Sequence, residues 1–209
     1  MKDVDIIERI KNKVQEMFKE ENTGHDISHL VRVYEYASRI QEIEGGDPYV
    51  VQLSALVHDI HRLMSDKIGH FVFPEESLDE VEKLLLECDV DRSKLPEILE
   101  VVREHDNKDN KNVSLETLII QDADALDAIG ERGIERTLKY CKAHNIPLTN
   151  TNYSLETVEY IPDINPISTC HYIHNTMIPN ARNLYTKTAK QIAEDKIQLL
   201  EDFVKKNYK

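Results

Sequence analysis

Histidine and aspartate side chains at the ends of apolar segments are the residues in this sequence best suited to chemistry. His58-Asp59 directly follows the apolar run from Val50 to Val57. Burying an ionised aspartate beside a histidine is costly unless a cation, a backbone cap or an arginine compensates for its charge. His-Asp pairs also occur at 25–26 and 105–106, so the dipeptide alone leaves structural roles open.

Aspartates also interrupt a second apolar segment, residues 115–129. Asp124 and Asp127 share one face of a predicted helix there, whereas Asp122 points elsewhere. Carboxylates among leucines and isoleucines are hard to solvate, so at least one of the three is expected to meet a charge partner. His29 adds an imidazole from another helix, with Arg32 one turn later. A histidine at the edge of the core and a solvated arginine are the alternative interpretation of that pair.

Together these positions offer two imidazoles and two carboxylates from three separate helices. Mixed nitrogen and oxygen ligands without thiolate suit manganese, iron, cobalt, nickel, zinc or magnesium. Four protein ligands leave two positions open on a six-coordinate ion, one for a water and one for a phosphoryl oxygen. The sequence therefore favours a divalent metal ion and a hydrolytic reaction.

Helices must position these residues, because the apolar spacing is helical and we find no convincing alternating strand. Glycine and proline number only 6 and 7, which favours long helices over many short strands. The predicted helices cover 4–18, 27–44, 48–59, 75–87, 93–104, 115–129, 131–144 and one or two segments of the last 40 residues. Residues 60–73, 105–113 and 145–165 are predicted as loops. The prediction is an all-α fold in one domain, residues 1–209.

Composition narrows the choice of partner and compartment. The net charge of −13 argues against binding large nucleic acids, which needs a basic surface, but allows small anionic substrates. The apolar runs are too short for a membrane span, and the N-terminus lacks a signal-peptide core. Cys88, Cys141 and Cys170 lie far apart, which predicts buried thiols rather than a disulfide framework. We expect a soluble, cytoplasmic protein without a membrane partner.

The local sequences resemble the HD-domain superfamily of metal-dependent phosphohydrolases. The segment HDISHLVRV (25–33) is similar to the family's first-ligand motif, and LSALVHDI (53–60) to the motif that names the family. QDADALDAIG (121–130) is similar to the motif of the distal aspartate, which selects Asp124. The segment at 188–204 looks like the closing helix of a small stand-alone bacterial and archaeal branch.

This resemblance implies an HD-type helical bundle, with a core over about 23–130 and C-terminal helices over about 166–207 packing on it. It implies that His29, His58, Asp59 and Asp124 hold the metal ion, with one ion per chain favoured and manganese among the candidates. It further implies hydrolysis of a phosphate ester or nucleoside phosphate. Relatives of this branch are similar to nucleotide pyrophosphohydrolases and 5′-nucleotidases.

One departure from the family pattern concerns Arg62, which stands where some nucleotidase relatives carry a glutamate. A guanidinium suits a phosphate clamp better than a base. Asp59 is further expected to orient the attacking water, and Arg32 and His61 to contact the phosphate. His105 is the candidate that protonates the leaving oxygen.

Structural alternatives remain for two of these side chains: a solvated loop for His105, and a salt bridge from Arg32 to Asp26. Two other functions also compete with hydrolysis, namely a catalytically silent nucleotide-sensing module and a di-iron oxygenase of the same superfamily. The oxygenase needs extra histidine ligands, and the spacing of His61, His70 and His105 does not clearly match that pattern. The oligomeric state is open, a homodimer included.

Overall fold

Helical apolar spacing produces a succession of helices in the computed structural model, which describes residues 2–19, 27–107, 112–157 and 166–209. The chain divides into two compact units, Met1–Asp124 and Ala125–Lys209. Within the described ranges there are helices and turns but no β-strand, which confirms the predicted all-α fold. The predicted single domain, with its C-terminal helices packed on the core, stays a prediction.

Among its described residues, the first unit contains six complete helices and most of a seventh. They are α1 (Lys2–Met17), α2 (Ile27–Glu44), α3 (Pro48–Val57), α4 (Ile60–Ile68), α5 (Leu78–Glu87), α6 (Leu95–Glu104) and α7 (Leu115–Asp127), with a 3₁₀ turn at Pro74–Ser77 before α5. Asp26, which directly precedes α2 in sequence, lies outside the described residues.

Helix α3 is the centre of this unit, as a sequence that is apolar almost all round predicts. It packs against α1, α2 and α6, and every residue from Leu53 to Val57 is buried. Asp47 caps its N-terminus by accepting hydrogen bonds from the backbone N–H groups of Tyr49 and Val50. Pro48 occupies the first helical position, where its missing N–H costs nothing. His58 and Asp59, which directly follow α3, are therefore held in the core of the unit.

The predicted loop over 60–73 is wrong, because residues 60–68 form α4. Ile60 and Leu63 are buried, and Met64 continues the same apolar stripe at helical spacing. Gly69, with φ +83°, ends the helix in the left-handed conformation that glycine adopts at low cost. His61 and Arg62 are consequently fixed on a helix that begins directly after Asp59.

The second unit is also helical. It contains α8 (Glu131–Ala143), α9 (Thr169–Tyr172), a π-helical turn (Ile173–Met177), α10 (Ile178–Arg182) and α11 (Lys187–Asn207). Helix α11 packs on α8, the π turn and α10. Of the predicted irregular segment, 145–157 has neither helix nor strand, and 158–165 lies outside the described residues.

Two predictions made from composition bear on the fold. Cys88, Cys141 and Cys170 are all buried free thiols, as predicted. Among the described residues, every helix is either too short or too polar to cross a membrane.

Candidate metal centre

Three helices of the first unit bring His29, His58 and Asp59 together. His29 is the third residue of α2, whereas His58 and Asp59 form the junction between α3 and α4. At this junction Asp59 leaves the helical conformation, with φ −94° and ψ 12°, which separates the two helices. All three side chains are buried, with exposures of 1%, 0% and 3%.

The ligating atoms of this group are within reach of one ion. Oδ2 of Asp59 lies 3.3 Å from Nε2 of His29 and 3.7 Å from Nε2 of His58. One ligand atom from each of the three residues lies within 4.8 Å of the other two. The three residues that the sequence predicts as the first metal ligands therefore form one buried group.

Asp124, the fourth predicted ligand, approaches the same group from α7. Its Oδ1 lies 3.4 Å from Nε2 of His29, and 36% of its side chain is exposed. Partial desolvation and, after it, the negative charge of Asp59 raise the pKa of the Asp124 carboxyl. A nearby cation would offset both effects.

Gln121 fixes the position of α7 relative to α6, a role that the sequence did not suggest. Its amide nitrogen donates hydrogen bonds of 2.8 Å to the backbone carbonyls of Glu104 and Asn107. Those carbonyls flank the end of α6, where His105 lies, and Gln121 precedes Asp124 by one helical turn. A polar residue within an apolar helix signals such a contact, but its partner cannot be identified from spacing.

A second group of three potential ligands shares Asp59. It comprises Asp59, His61 and His105, with one ligand atom from each within 4.8 Å of the others. Oδ1 of Asp59 lies 3.9 Å from Nε2 of His105 and 4.0 Å from Nδ1 of His61. His105 has only 5% exposure, so the solvated-loop alternative for this side chain is wrong. His61, the predicted substrate contact, and His105, the predicted acid, therefore both lie beside Asp59.

Backbone carbonyls determine which nitrogen of each imidazole carries the proton. Nδ1 of His58 lies 2.9 Å from the carbonyl oxygen of Ala55, and Nδ1 of His105 lies 2.7 Å from that of Val102. A carbonyl can only accept, so Nδ1 donates and Nε2 of the neutral ring keeps its lone pair. This is the tautomer of a metal-binding histidine held by a hydrogen bond from its other nitrogen.

Burial keeps the second pair of histidines neutral. Desolvation lowers the pKa of His61 to about 4, although the charge of Asp59 opposes that change. Desolvation, followed by the neighbouring His58, also lowers the pKa of His105. Both rings therefore carry a lone pair rather than a positive charge near neutral pH.

Arg62 extends from α4 along the edge of these groups. Its Nη2 donates a hydrogen bond of 3.3 Å to Oδ2 of Asp106, and its Nε lies 3.7 Å from Oδ1 of Asp59. Oδ2 of Asp106 also lies 3.7 Å from Nε2 of His61. The Arg62 side chain is 29% exposed, so it contacts the buried Asp59 carboxylate and is also accessible from solvent.

Arg32, the other predicted phosphate contact, forms a different interaction. Its Nη1 donates a hydrogen bond of 2.8 Å to Oγ of Ser28, one turn earlier on α2. The alternative partner Asp26 lies outside the described residues. The contact of Arg32 with substrate stays a prediction.

The chemistry of these side chains fits a divalent cation. Imidazole lone pairs and carboxylate oxygens repel each other at 3–4 Å, and a cation between them converts that repulsion into attraction. Nitrogen and carboxylate oxygen are ligands that manganese, iron, cobalt, nickel and zinc accept. His29, His58, Asp59 and Asp124 would hold the ion.

Comparisons with known proteins agree with this geometry. The family model of the HD domain matches residues 26–129, the part of the chain that contains every residue of both ligand groups. The uncharacterized protein YpgQ of Bacillus subtilis is 29% identical over 211 residues, covering 98% of this chain and 93% of that protein.

Solved structures share the fold. YpgQ of Bacillus subtilis in complex with ADP gives a TM-score of 0.77 at 24% identity, covering 99% of this chain and 95% of that one. An HD-superfamily hydrolase of Bacillus thuringiensis gives a TM-score of 0.72 at 27% identity, covering 96% and 93%.

Proposed function

The chain belongs to the HD-domain family, and on that premise we propose that it is a metal-dependent phosphohydrolase acting on a phosphate ester or nucleoside phosphate. The observation that carries the proposal is the buried group of His29, His58 and Asp59, with Asp124 beside His29. A buried carboxylate faced by imidazole nitrogens is stable and useful when it binds a cation.

The proposed ion is held by His29, His58, Asp59 and Asp124. When bound, a divalent cation polarises a phosphoryl oxygen and lowers the pKa of a coordinated water. The net charge of −13 makes a cation important for a second reason, because the protein as a whole repels anionic substrates.

Arg62 is proposed to bind and orient the phosphoryl group. A guanidinium has five N–H groups, and the contact with Asp106 uses one of them. The remaining donors suit the planar, paired arrangement of phosphate oxygens. Arg32 and His61 are proposed as further phosphate contacts, although burial of His61 restricts it to the neutral form near pH 7.

For His105 the neutral tautomer changes the proposed role. A general acid must carry a proton on the nitrogen that faces the leaving group. Nδ1 of His105 donates to the Val102 carbonyl, and the lowered pKa leaves Nε2 without a proton near neutral pH. We therefore propose that His105 accepts hydrogen bonds or binds a cation. The leaving oxygen would then take its proton from water or accept a hydrogen bond from Arg62.

Nucleotides are the first substrates to test. YpgQ, which is 29% identical to this chain, has been crystallised with ADP. That observation concerns YpgQ, and it supports nucleoside diphosphates and triphosphates as the leading candidates here.

The decisive experiment combines chelation with a substrate panel. Protein stripped by a chelator and reloaded with Mn²⁺, Fe²⁺, Co²⁺, Ni²⁺, Zn²⁺ or Mg²⁺ is assayed with nucleotides, an aryl phosphate and inorganic tripolyphosphate. We expect activity to disappear on chelation and return with at least one metal. Asp59→Ala should reduce the rate by roughly 100-fold or more. Asp66→Ala, which changes an exposed aspartate on the neighbouring helix α4, should not reduce it. Full activity in the stripped protein would overturn the proposal.

A di-iron oxygenase is the second candidate, favoured by the second ligand group at Asp59, His61 and His105. Two irons per chain together with oxygen consumption would support it, whereas one ion per chain with phosphate release supports the phosphohydrolase. Nucleotide binding without any product over hours would instead indicate a sensing module.

A further inference from the structure

Two exposed aromatic rings lie side by side in the segment that follows α4. Phe71 and Phe73 are 49% and 57% exposed, although large apolar side chains are usually buried. Their ring centroids are 5.0 Å apart at an interplanar angle of 85°, an edge-to-face arrangement. We call this pair of rings the aromatic platform.

Local contacts hold the aromatic platform on a fixed backbone. Val72, between the two rings, is buried, and its N–H donates a hydrogen bond of 2.9 Å to Oγ of Ser65 on α4. The N–H of Phe73 donates a hydrogen bond of 2.8 Å to Glu76 in the 3₁₀ turn. Turning Val72 inward directs its two neighbours outward, so the exposure of both rings follows from the backbone.

The platform adjoins the candidate metal centre through two side chains. The Arg62 guanidinium carbon lies over the Phe71 ring, 5.2 Å from its centroid, and the His61 ring is 6.2 Å away in an edge-to-face arrangement. Arg62 Nε is itself 3.7 Å from Oδ1 of Asp59. The Arg62 side chain therefore links the Asp59 carboxylate to the exposed aromatic platform.

We propose that Phe71 and Phe73 bind the planar ring of the substrate, the base of a nucleoside phosphate, while Arg62 binds its phosphate. The inference rests on the proposed function and adds a specificity-determining site to it. The occupant follows from complementarity: an anionic group suits Arg62, and a flat aromatic group suits the rings beside it. A stable protein interface needs about 20–30 residues a side, far more than these two rings supply.

Stacking on aromatic side chains tolerates any base, because every base presents a π face. The platform should therefore distinguish nucleotides from inorganic polyphosphate more strongly than one nucleotide from another. That difference gives the test an internal reference, because inorganic tripolyphosphate offers the same phosphates without a ring.

The test compares Phe71→Ala, Phe73→Ala and Phe71→Tyr in metal-loaded protein, with ATP and tripolyphosphate as substrates. We expect each alanine variant to raise the ratio of KM for ATP to KM for tripolyphosphate about tenfold, and Phe71→Tyr to preserve the wild-type ratio. Ile43→Ala is the matched control, because Ile43 is 67% exposed near the end of α2 opposite His29. Circular dichroism and thermal unfolding verify that each variant is folded.

A binding measurement makes the test independent of turnover. Calorimetric titration with the non-hydrolysable methylene analogue of ATP, and with pyrophosphate, should show weaker binding of the analogue alone in the alanine variants. An unchanged ratio of KM values with unchanged analogue binding overturns the platform while leaving the phosphohydrolase intact. If the wild-type protein hydrolyses none of the substrates, the proposed function is overturned. The titration then still shows whether the aromatic platform binds the base. If the alanine variants change the mass measured by sedimentation but bind nucleotide as the wild type does, the two rings form a self-association surface. That result also overturns the proposed base-binding role.

Discussion

Asp59 has two carboxylate oxygens that face different partners. Oδ2 lies toward His29 and His58, and Oδ1 lies toward His61 and His105. One carboxylate can bridge two cations in this way, or it can hold one cation while its second oxygen orients a water. Counting the metal per chain separates these arrangements, because the first requires two ions and the second requires one.

Replacing Arg62 by lysine tests the phosphate clamp at the scale of a residue. Lysine keeps the positive charge but loses the paired donors and the planar face over Phe71. We expect Arg62→Lys to raise KM for a phosphate substrate roughly tenfold and Arg62→Met to raise it further, with metal content unchanged. Arg103→Lys, an exposed arginine paired with Glu100, is the control for the substitution itself. Wild-type KM in Arg62→Lys would exclude the clamp.

At the residue scale, a motif or an apolar context marked the side chains that the structure brings together at the candidate metal centre. His58 and Asp59 stood out because they follow a helix that is apolar almost all round, and Asp124 because its flanking residues resemble a family motif. The approach of His61 and His105 to Asp59 was not predictable. His105 is 46 positions from Asp59 in sequence, and only the packing of α6 against α3 brings it close.

At the scale of the element, contacts at the N-terminus of α3 help to position the candidate metal centre, which lies at the C-terminal end of the same helix. The Asp47 carboxylate caps α3 and also pairs with Nζ of Lys94 at 2.7 Å. The backbone N–H of Asp47 donates a hydrogen bond of 2.9 Å to Glu116, near the start of α7. Asp47 thus connects α3, which His58 directly follows, with α7, which carries Asp124.

Removing the Asp47 carboxylate is expected to make stability less dependent on pH in acid. Desolvation is the largest influence and raises the pKa of Asp47, but Lys94 and the N–H groups of Val50 and Tyr49 together lower it from 3.8. A lowered folded-state pKa contributes stability above about pH 4 that is lost as the pH falls through that pKa.

We expect Asp47→Ala to reduce the free energy of unfolding by about 1–2 kcal/mol at pH 7, for the lost cap and ion pair. The difference from wild type should shrink below pH 4. Urea denaturation of the metal-free proteins at pH 7 and pH 3 measures both values, with Asp66→Ala as the exposed control. An identical difference at the two pH values would contradict the assigned role.

Gly133 allows the first turn of α8 to form next to Ala128. A Cβ at this position would overlap the carbonyl oxygen of Ala128 and come within 2.9 Å of the Met177 side chain. We expect Gly133→Ala to destabilise the protein by about 1–3 kcal/mol despite the better helix propensity of alanine. Chemical denaturation measures this loss, and Glu135→Ala on the exposed side of α8 should be nearly neutral.

Helices with a broad apolar face were predictable, and short ones were not. The spacing of Leu30, Val33, Ala37 and Ile40 identified α2, and all four are buried. Helix α4 was missed because only Ile60, Leu63 and Met64 form its apolar stripe among polar residues. Whether α4 forms depends on tertiary packing, because its few apolar residues contact a core that the rest of the unit provides.

At the scale of the whole molecule, the proposed ion is a cross-link between helices distant in sequence. Its ligands come from α2, from the junction of α3 and α4, and from α7. An ion that binds only the folded chain adds about 2.7 kcal/mol at 100 times its dissociation constant. For a chain of this size that corresponds to a rise in Tm of about 5–10 °C.

Thermal unfolding with chelator and with excess Mn²⁺ measures that rise. Asp59→Ala should show little or no metal-dependent change in Tm, because it removes the shared carboxylate. An equal rise in Asp59→Ala and wild type would indicate that the metal stabilises the protein elsewhere.

The immediate start of α4 after Asp59 has a consequence for how this sequence can diverge. Arg62 follows Asp59 by three residues, almost one helical turn, and one inserted residue would rotate it by about 100° away from the centre. Insertions and deletions among related chains should therefore avoid the step from Asp59 to Arg62. They should accumulate instead after Gly69, where a changed loop length alters the aromatic platform and leaves the ligands in register. Substrate preference could then evolve by loop exchange at little cost to the ancestral chemistry.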